Sequence, residues 1–306
     1  MSRVSTEFSQ DQVTEAAYQQ AIRALVDRIN YERVGHPDYS DANYRLDRMR
    51  KLLGRLGDPH LAAPVIHIAG TKGKGSTATL ISCMLSAAGH RTGLYTSPHL
   101  LRVEERFRID NRNCSVSDFI ALVEETKNAA DRIEADGIGR ATYFELTTAL
   151  AFLHFAQQKA KAVVLEVGLG GRLDSTNVCQ PIATVITSIG LDHQAQLGHT
   201  IAAIAGEKAG IIKAKVPVIS SARQPDARCV IEDKARELDS PLRLIARDFD
   251  CSWQAQLGSA LAAANSPAEP AAVARCTFLP HYSPSHFGRS DWSLSLLGAH
   301  QGDNLA

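Results

Sequence analysis

Apolar positions recur along this chain in two periods, and the change from one to the other marks its organisation. Over residues 14–30, Tyr18, Ile22, Leu25, Val26 and Ile29 fall at the spacing of one helical face. A second helical stretch follows Asp41, with Leu46, Met49, Leu52, Leu53 and Leu56 directed inward. The period then changes. PVIHIA (64–69) is a short run rich in β-branched residues that predicts a strand, followed by glycines and a helix from Ser76 to about Ala88. RTGLYT (91–96) predicts another strand, and Ser115-Val116-Ser117-Asp118 opens a helix in capping-box style that runs to about Ala135. TYFELTTALAFLHFA (142–156) is a strongly apolar helix. AVVLEV (162–167), ATVITSI (183–189) and VPVISS (216–221) read as buried strands; a helix from Thr200 to about Lys213 separates the last two, and another starts at Pro225.

Strands rich in Val and Ile, alternating with helices of crossover length, predict an α/β fold: a P-loop-type, mostly parallel sheet with helices on both faces. Ligands of such sheets bind at the carboxyl ends of the strands. Residues 251–292 break the pattern; they are rich in small residues and fit either an irregular insertion or short antiparallel strands.

Composition narrows the partners. The 306 residues suffice for one large domain or two ordinary ones. Lys plus Arg (33) equals Asp plus Glu (33), so bulk charge gives no reason to expect a nucleic-acid partner, and an anionic ligand must be caught by local groups. The six cysteines are scattered with no C-x-x-C, which predicts a reducing, cytoplasmic setting. No apolar run approaches the ~20 residues that span a bilayer, and the N-terminal MSRVSTEFSQ lacks the apolar core of a secretory signal, so no membrane partner is expected.

Candidate chemistry collects at the predicted strand ends. Gly70-Thr71-Lys72-Gly73-Lys74-Gly75-Ser76 lies between a strand and a helix. Glycines there let successive N–H groups point into one concave space, the helix adds its positive dipole end, and Lys74 with a hydroxyl from Ser76 or Thr77 suits phosphates or Mg²⁺. The spacing is shorter than G-x-x-x-x-G-K-[ST], and no N-K-x-D base-reading motif accompanies it, which favours ATP over GTP. Glu166 ends a buried strand, an expensive place for a carboxylate without a cation or partner. Ser97 and His99 follow the 91–96 strand, and Asp192 and His193 follow the 183–189 strand. Lys208, between Gly206 and Gly210 in a helical pattern, reads from pattern alone as a solvated lysine; the glycines, each costing about 1 kcal/mol against Ala, predict close approach of another segment.

Taken together, HIAGTKGKGST (67–77), YTSPHL (95–100), ERFRI (105–109), TYFELTTALAF (142–152), LEVGLGGRLDSTNV (165–178), SIGLDHQAQLGHTIAAIAGEKAGIIK (188–213) and LLGAHQGDNLA (296–306) resemble the folylpolyglutamate synthase and dihydrofolate synthase branch of the Mur ligase superfamily. The family loop usually reads G-T-N-G-K-G-S; Lys72 stands here in place of the Asn.

The resemblance implies an ATP-dependent ligase that joins L-glutamate to a folate or dihydropteroate carboxylate through an acyl phosphate, acting as a monomer. It implies ATP contacts at Gly70, Thr71, Gly73, Lys74, Gly75, Ser76, Thr77 and Asn304. It places one Mg²⁺ on Ser97 and Glu166 and a second on His193, with a carbamylated Lys208 among the metal ligands and Lys74, His193 and Lys208 serving catalysis. It divides the chain into an ATP-binding central domain with N-terminal helices (1–296) and the start of a hinge (297–306) to a Rossmann-like C-terminal domain that is missing, so that ATP binding by this chain alone is expected to be weak and turnover near zero. Two other readings remain: a Mur-type muropeptide ligase, which the loop and the Lys208 region permit, and an inactive ATP-binding module.

Overall fold

The computed structural model describes residues 10–31, 46–256, 273–280 and 290–294. Among the described residues, the helices α1 (Gln10–Val26) and α2 (Leu46–Arg55) precede the alternating region. That region runs β1 (Val65–Ala69), α3 (Lys74–Ala87), β2 (Thr92–Tyr95), β3 (Phe107–Ile109), β4 (Arg112–Asn113), α4 (Val116–Ala135), α5 (Tyr143–Gln157), β5 (Ala162–Glu166), β6 (Pro181–Ile186), a short helical turn at Gln194–Leu197, α6 (Ile201–Ala209), β7 (Val218–Ser220), α7 (Pro225–Glu237) and β8 (Leu242–Leu244).

These strands form one sheet in the order β4-β3-β2-β5-β1-β6-β7-β8, parallel except at β3 and β4. The sheet is thus mostly parallel, as the sequence predicts, and the cause of its antiparallel pair is local. Asp110 and Asn111 both have positive φ (48° and 61°) and link Ile109 to its partner Arg112, a two-residue turn of the kind that folds a chain back on itself. A separate antiparallel sheet, β11-β10-β9, comprises β9 (Phe249–Gln256), β10 (Val273–Pro280) and β11 (Ser290–Leu294), the second of the two readings of 251–292. Among the described residues, no helix is long and apolar enough to cross a membrane.

Side-chain alternation along the central strands sets the layers. Val65, Val163, Leu165 and Tyr95 share a buried cluster with residues of α4 and α5, whereas Ile68, Val164 and Leu94 pack with Ala78, Ile81 and Leu85 of α3. Helices therefore cover both faces, as period-two strands with two apolar sides require. Burial on most sides explains the weak amphipathic pattern of α5, where twelve of the thirteen residues from Tyr143 to Phe155 are buried, all but Phe144. Thr142 and Glu145 cap it reciprocally, and the Glu145 carboxylate also accepts from Arg48 Nε at 2.9 Å, tying α2 to the start of α5.

Register aligns the strand ends that matter. Ile68 pairs with Glu166, Tyr95 with Leu165, and Ala69 with Ile186, so β2, β5, β1 and β6 finish at nearly one level.

Candidate functional site

The glycine loop leaves β1 at Gly70 and enters α3 at Lys74. Gly70 has φ 154°, and a Cβ there would stand 1.7 Å from Thr187 Oγ1, so the position admits no side chain. The loop is laced to the end of β6: Thr71 N–H donates to Ser188 O (2.7 Å), Gly190 N–H donates to Thr71 Oγ1 (3.0 Å), and Thr187 Oγ1 donates to Lys72 O (2.8 Å). These bonds explain why ATVITSI looked like a longer strand. Residues 187–189 leave the ladder after Ile186 to grip the loop, while Ile189 stays buried. Gly73 caps α3 with φ 85°, and the helix starts at Lys74, two residues before the predicted Ser76. Lys74, Gly75, Ser76 and Thr77 thus form its first turn, where the helix dipole favours an anion; the Thr77 N–H closes the turn on Gly73 O at 2.9 Å.

Glu166 lies against that turn. A Cβ on Gly75 would be 3.4 Å from Glu166 Oε2. The carboxylate is buried, accepts a hydrogen bond from Ser97 N–H at 3.1 Å, and is pushed up by burial to about 7, with Lys74, the Ser97 N–H and Arg106 opposing the rise. Hard oxygen donors of this kind suit Mg²⁺, which keeps much of its water and is held by one or two carboxylates plus phosphates. Among the described residues, no three His, Cys, Asp or Glu side chains converge on a metal position. The Glu166 carboxylate is the group here whose chemistry suits such an ion, and the Ser97 backbone lies against it.

Lys208 overturns the solvated-lysine reading. Its Nζ is buried and donates to Gly70 O at 3.0 Å, and burial, then the nearby Lys74 charge, lower it to about 8. The helix carrying it ends at Ala209 rather than near Lys213. The flanking glycines divide. A Cβ on Gly210 would meet Arg172 Cβ at 2.4 Å, the predicted close approach, whereas nothing lies within 4 Å of one on Gly206. The approaching segment is 168–172: Arg172 N–H donates to Glu207 O (2.8 Å), and a Cβ on Gly171 would meet the same carbonyl at 2.8 Å.

His193, with φ 47°, is an exposed residue whose N–H donates to Asp192 Oδ1 at 3.0 Å; Asp192 Oδ2 in turn meets Lys72 Nζ at 3.3 Å. Desolvation raises the Asp192 carboxyl, but His193 and Lys72 outweigh it and hold it below its ordinary value. His99 Nδ1 accepts from Arg106 Nε at 2.8 Å, and the buried Arg106 guanidinium lies over the Tyr143 ring. Asn304 and the 297–306 stretch lie outside the described residues.

Sequence reasoning missed a buried polar chain behind the site. Asp174 takes the N–H groups of Gly168 (2.9 Å) and Leu169 (3.0 Å) on one oxygen and the Thr176 N–H and hydroxyl on the other. Since the Thr176 hydroxyl donates to Asp174, it accepts from His67 Nε2 (2.8 Å), and His67 Nδ1 faces the Cys179 thiol. Burial, aided by Lys213, pushes His67 down to about 3 and keeps it neutral. The signals were a histidine inside an apolar strand and an Asp-Ser-Thr capping sequence.

The Mur ligase middle domain model matches residues 68–231. The dihydrofolate synthase/folylpolyglutamate synthase of Bacillus subtilis (strain 168) is 45% identical over 199 residues, which cover 65% of this chain and 46% of that protein. Among solved structures, the apo form of the L. casei folylpolyglutamate synthase superposes with a TM-score of 0.80 at 34% identity, covering 94% of this chain and 64% of that one. The Mycobacterium tuberculosis folylpolyglutamate synthase complexed with ADP and AMPPCP gives 0.79 at 31% identity, covering 95% and 60%. The chain spans about half the length of the curated relatives it matches.

Proposed function

The chain belongs to the Mur ligase middle-domain family, and from that premise we propose that it carries the nucleotide site of an ATP-dependent acid–amino-acid ligase of the folylpolyglutamate synthase/dihydrofolate synthase type. In that reaction the terminal phosphoryl group of ATP passes to the carboxylate of a folate or dihydropteroate. The amine of L-glutamate then attacks the acyl phosphate, the amide forms and phosphate leaves. The observation that carries the reading is the convergence of the Gly70–Thr77 loop, Glu166 and Lys208 at the ends of β1 and β5 and on α6. Relatives of the folate branch favour it over the muropeptide alternative.

The loop N–H groups and Lys74 bind the phosphates; Ser97 and Glu166 hold one Mg²⁺; and His193 serves a second. The difficulty they meet is repulsion: two unit charges 4 Å apart repel by about 4 kcal/mol at an effective dielectric of 20. Bound there, Mg²⁺ supplies charge neutralisation and polarises the phosphoryl group. Lys208 is suited to carbamylation because burial makes its neutral amine accessible near pH 8; that amine adds CO₂, releases a proton and becomes an anion. Cys83, Cys114, Cys179, Cys229 and Cys251 are free thiols, which supports a cytoplasmic setting.

The test is mass spectrometry of reactions holding the chain extended to the full length of its curated relatives, with ATP, Mg²⁺, L-glutamate and either dihydropteroate, tetrahydrofolate or a UDP-muramoyl peptide. A product one glutamyl unit heavier than a folate acceptor is expected; modification of the muramoyl acceptor alone overturns the assignment. Incubation with ¹³CO₂ and a carbamate NMR signal that disappears in Lys208→Met tests the modification.

A further inference from the structure

Lys72 is the loop cation to which the site described above gives no task. Its main chain is fixed: the N–H donates to Ser188 Oγ at 3.3 Å, the carbonyl accepts from Thr187 Oγ1 and from Ser188 Oγ (3.1 Å), and the residue pairs with Ser188 as an antiparallel bridge. Its side chain is the reverse, 81% exposed, with the ammonium 3.3 Å from Asp192. An exposed pair at that distance holds weakly. Asp192 keeps the His193 N–H on its other oxygen, so it stays hydrogen-bonded without Lys72. A fixed base and an exposed ammonium on a weakly held counter-ion stand two residues from the first turn of α3, where the anion site forms.

We propose that Lys72 is a specificity-determining cation for the nucleotide: it rests on Asp192 when no nucleotide is bound and moves to the terminal phosphate of a bound nucleoside triphosphate. That phosphate carries the densest charge and lies farthest from the adenosine, so a flexible exposed ammonium distinguishes a triphosphate from a diphosphate there. The exchange gives up a screened contact for a charge-assisted one. This inference rests on the nucleotide reading of the loop.

Calorimetric titration of the 306-residue chain with a non-hydrolysable ATP analogue and with ADP tests it. In Lys72→Asn the triphosphate-to-diphosphate affinity ratio falls about tenfold, Lys72→Arg keeps most of it, and added salt weakens the parent more than the variant. The competing role, in which Lys72 only steadies Asp192 and the His193 segment, is separated by a double-mutant cycle. A ligand-directed Lys72 gives the same loss in the Asp192→Asn background; a purely structural one gives none, and that result overturns the proposal. An unchanged ratio in Lys72→Asn, with binding lost in Lys74→Ala, also overturns it while leaving the nucleotide reading standing. Failure of the parent chain to bind either nucleotide overturns both.

Discussion

Two buried carboxylates eight residues apart have opposite surroundings. Asp174 and Glu166 are equally hidden, 4% and 5% exposed, and burial raises the proton affinity of both. Asp174 is surrounded by donors: two N–H groups of the loop after β5, one of the following turn, and the Thr176 hydroxyl. The Ser97 N–H is the hydrogen bond found on Glu166. The first acid satisfies the chain around it; the second faces the anion-binding turn of α3 with acceptor capacity left over. A protein keeps an under-satisfied buried acid at a cost, and that cost is reasonable where a cation completes the shell. Asp174 thus shapes the loop that delivers Arg172 to α6, and Glu166 is the group placed to work.

The sharpest way to break this contrast is to remove each acid. Asp174→Ala strands three N–H groups and the Thr176 hydroxyl, and is expected to cost about 3–5 kcal/mol in urea unfolding. Glu166→Gln is expected to do the opposite in metal-free buffer. The Glu166 value rises from 4.5 unfolded to about 7 folded, so its contribution is fully present below pH 4.5 and is lost as pH rises through 7. The difference is about 3 kcal/mol, and the variant's stability should lack that decline. A variant curve parallel to the parent's from pH 5 to 8 contradicts the assignment.

Lys208 extends the contrast with the sign reversed. Its value falls from 10.5 to about 8, so its contribution is present above 10.5 and lost as pH falls through 8. Lys208→Met is expected to stabilise the chain at pH 6 by about 2 kcal/mol, once the lost bond to Gly70 O is set against the relief. Thermal unfolding in CO₂-free buffer at pH 6 and 9 measures it; equal effects at both values refute it.

What the sequence made legible follows from what its patterns encode. Alternation and capping residues marked most strands and helices, because those signals are local. Ser115, for instance, accepts the Asp118 N–H as its spacing predicts. The helix over 200–213 was read too long because Ile211 and Ile212 are buried after it ends, and periodic burial resembles periodic helix. The β3–β4 hairpin was missed because strands of three and two residues carry no period, although Asp110-Asn111 carried the turn. At the site, strand-end residues were visible because a parallel sheet collects them on one rim. The burial of Lys208 and the His67 ring behind Thr176 involve segments distant in the chain, which no window of sequence contains.

The smallest test lies in α6 and at its C-cap, where Gly206 and Gly210 repeat the contrast between a group with a neighbour and one without. Gly210 is pressed against the Arg172 backbone, with a would-be Cβ 2.7 Å from its Cα, so Gly210→Ala must push the 168–172 loop away from the helix. That displacement is expected to cost about 1–3 kcal/mol and to loosen the Arg172–Glu207 contact. Gly206 is exposed, helical and open, with nothing within 4 Å of an added Cβ. Gly206→Ala removes only excess freedom of the unfolded chain and is expected to stabilise by about 0.5–1 kcal/mol. Equilibrium unfolding of both variants reads the difference directly. If Gly206→Ala proves as damaging as Gly210→Ala, then something docks on the open face of α6, and its glycine answers to that contact rather than to chance.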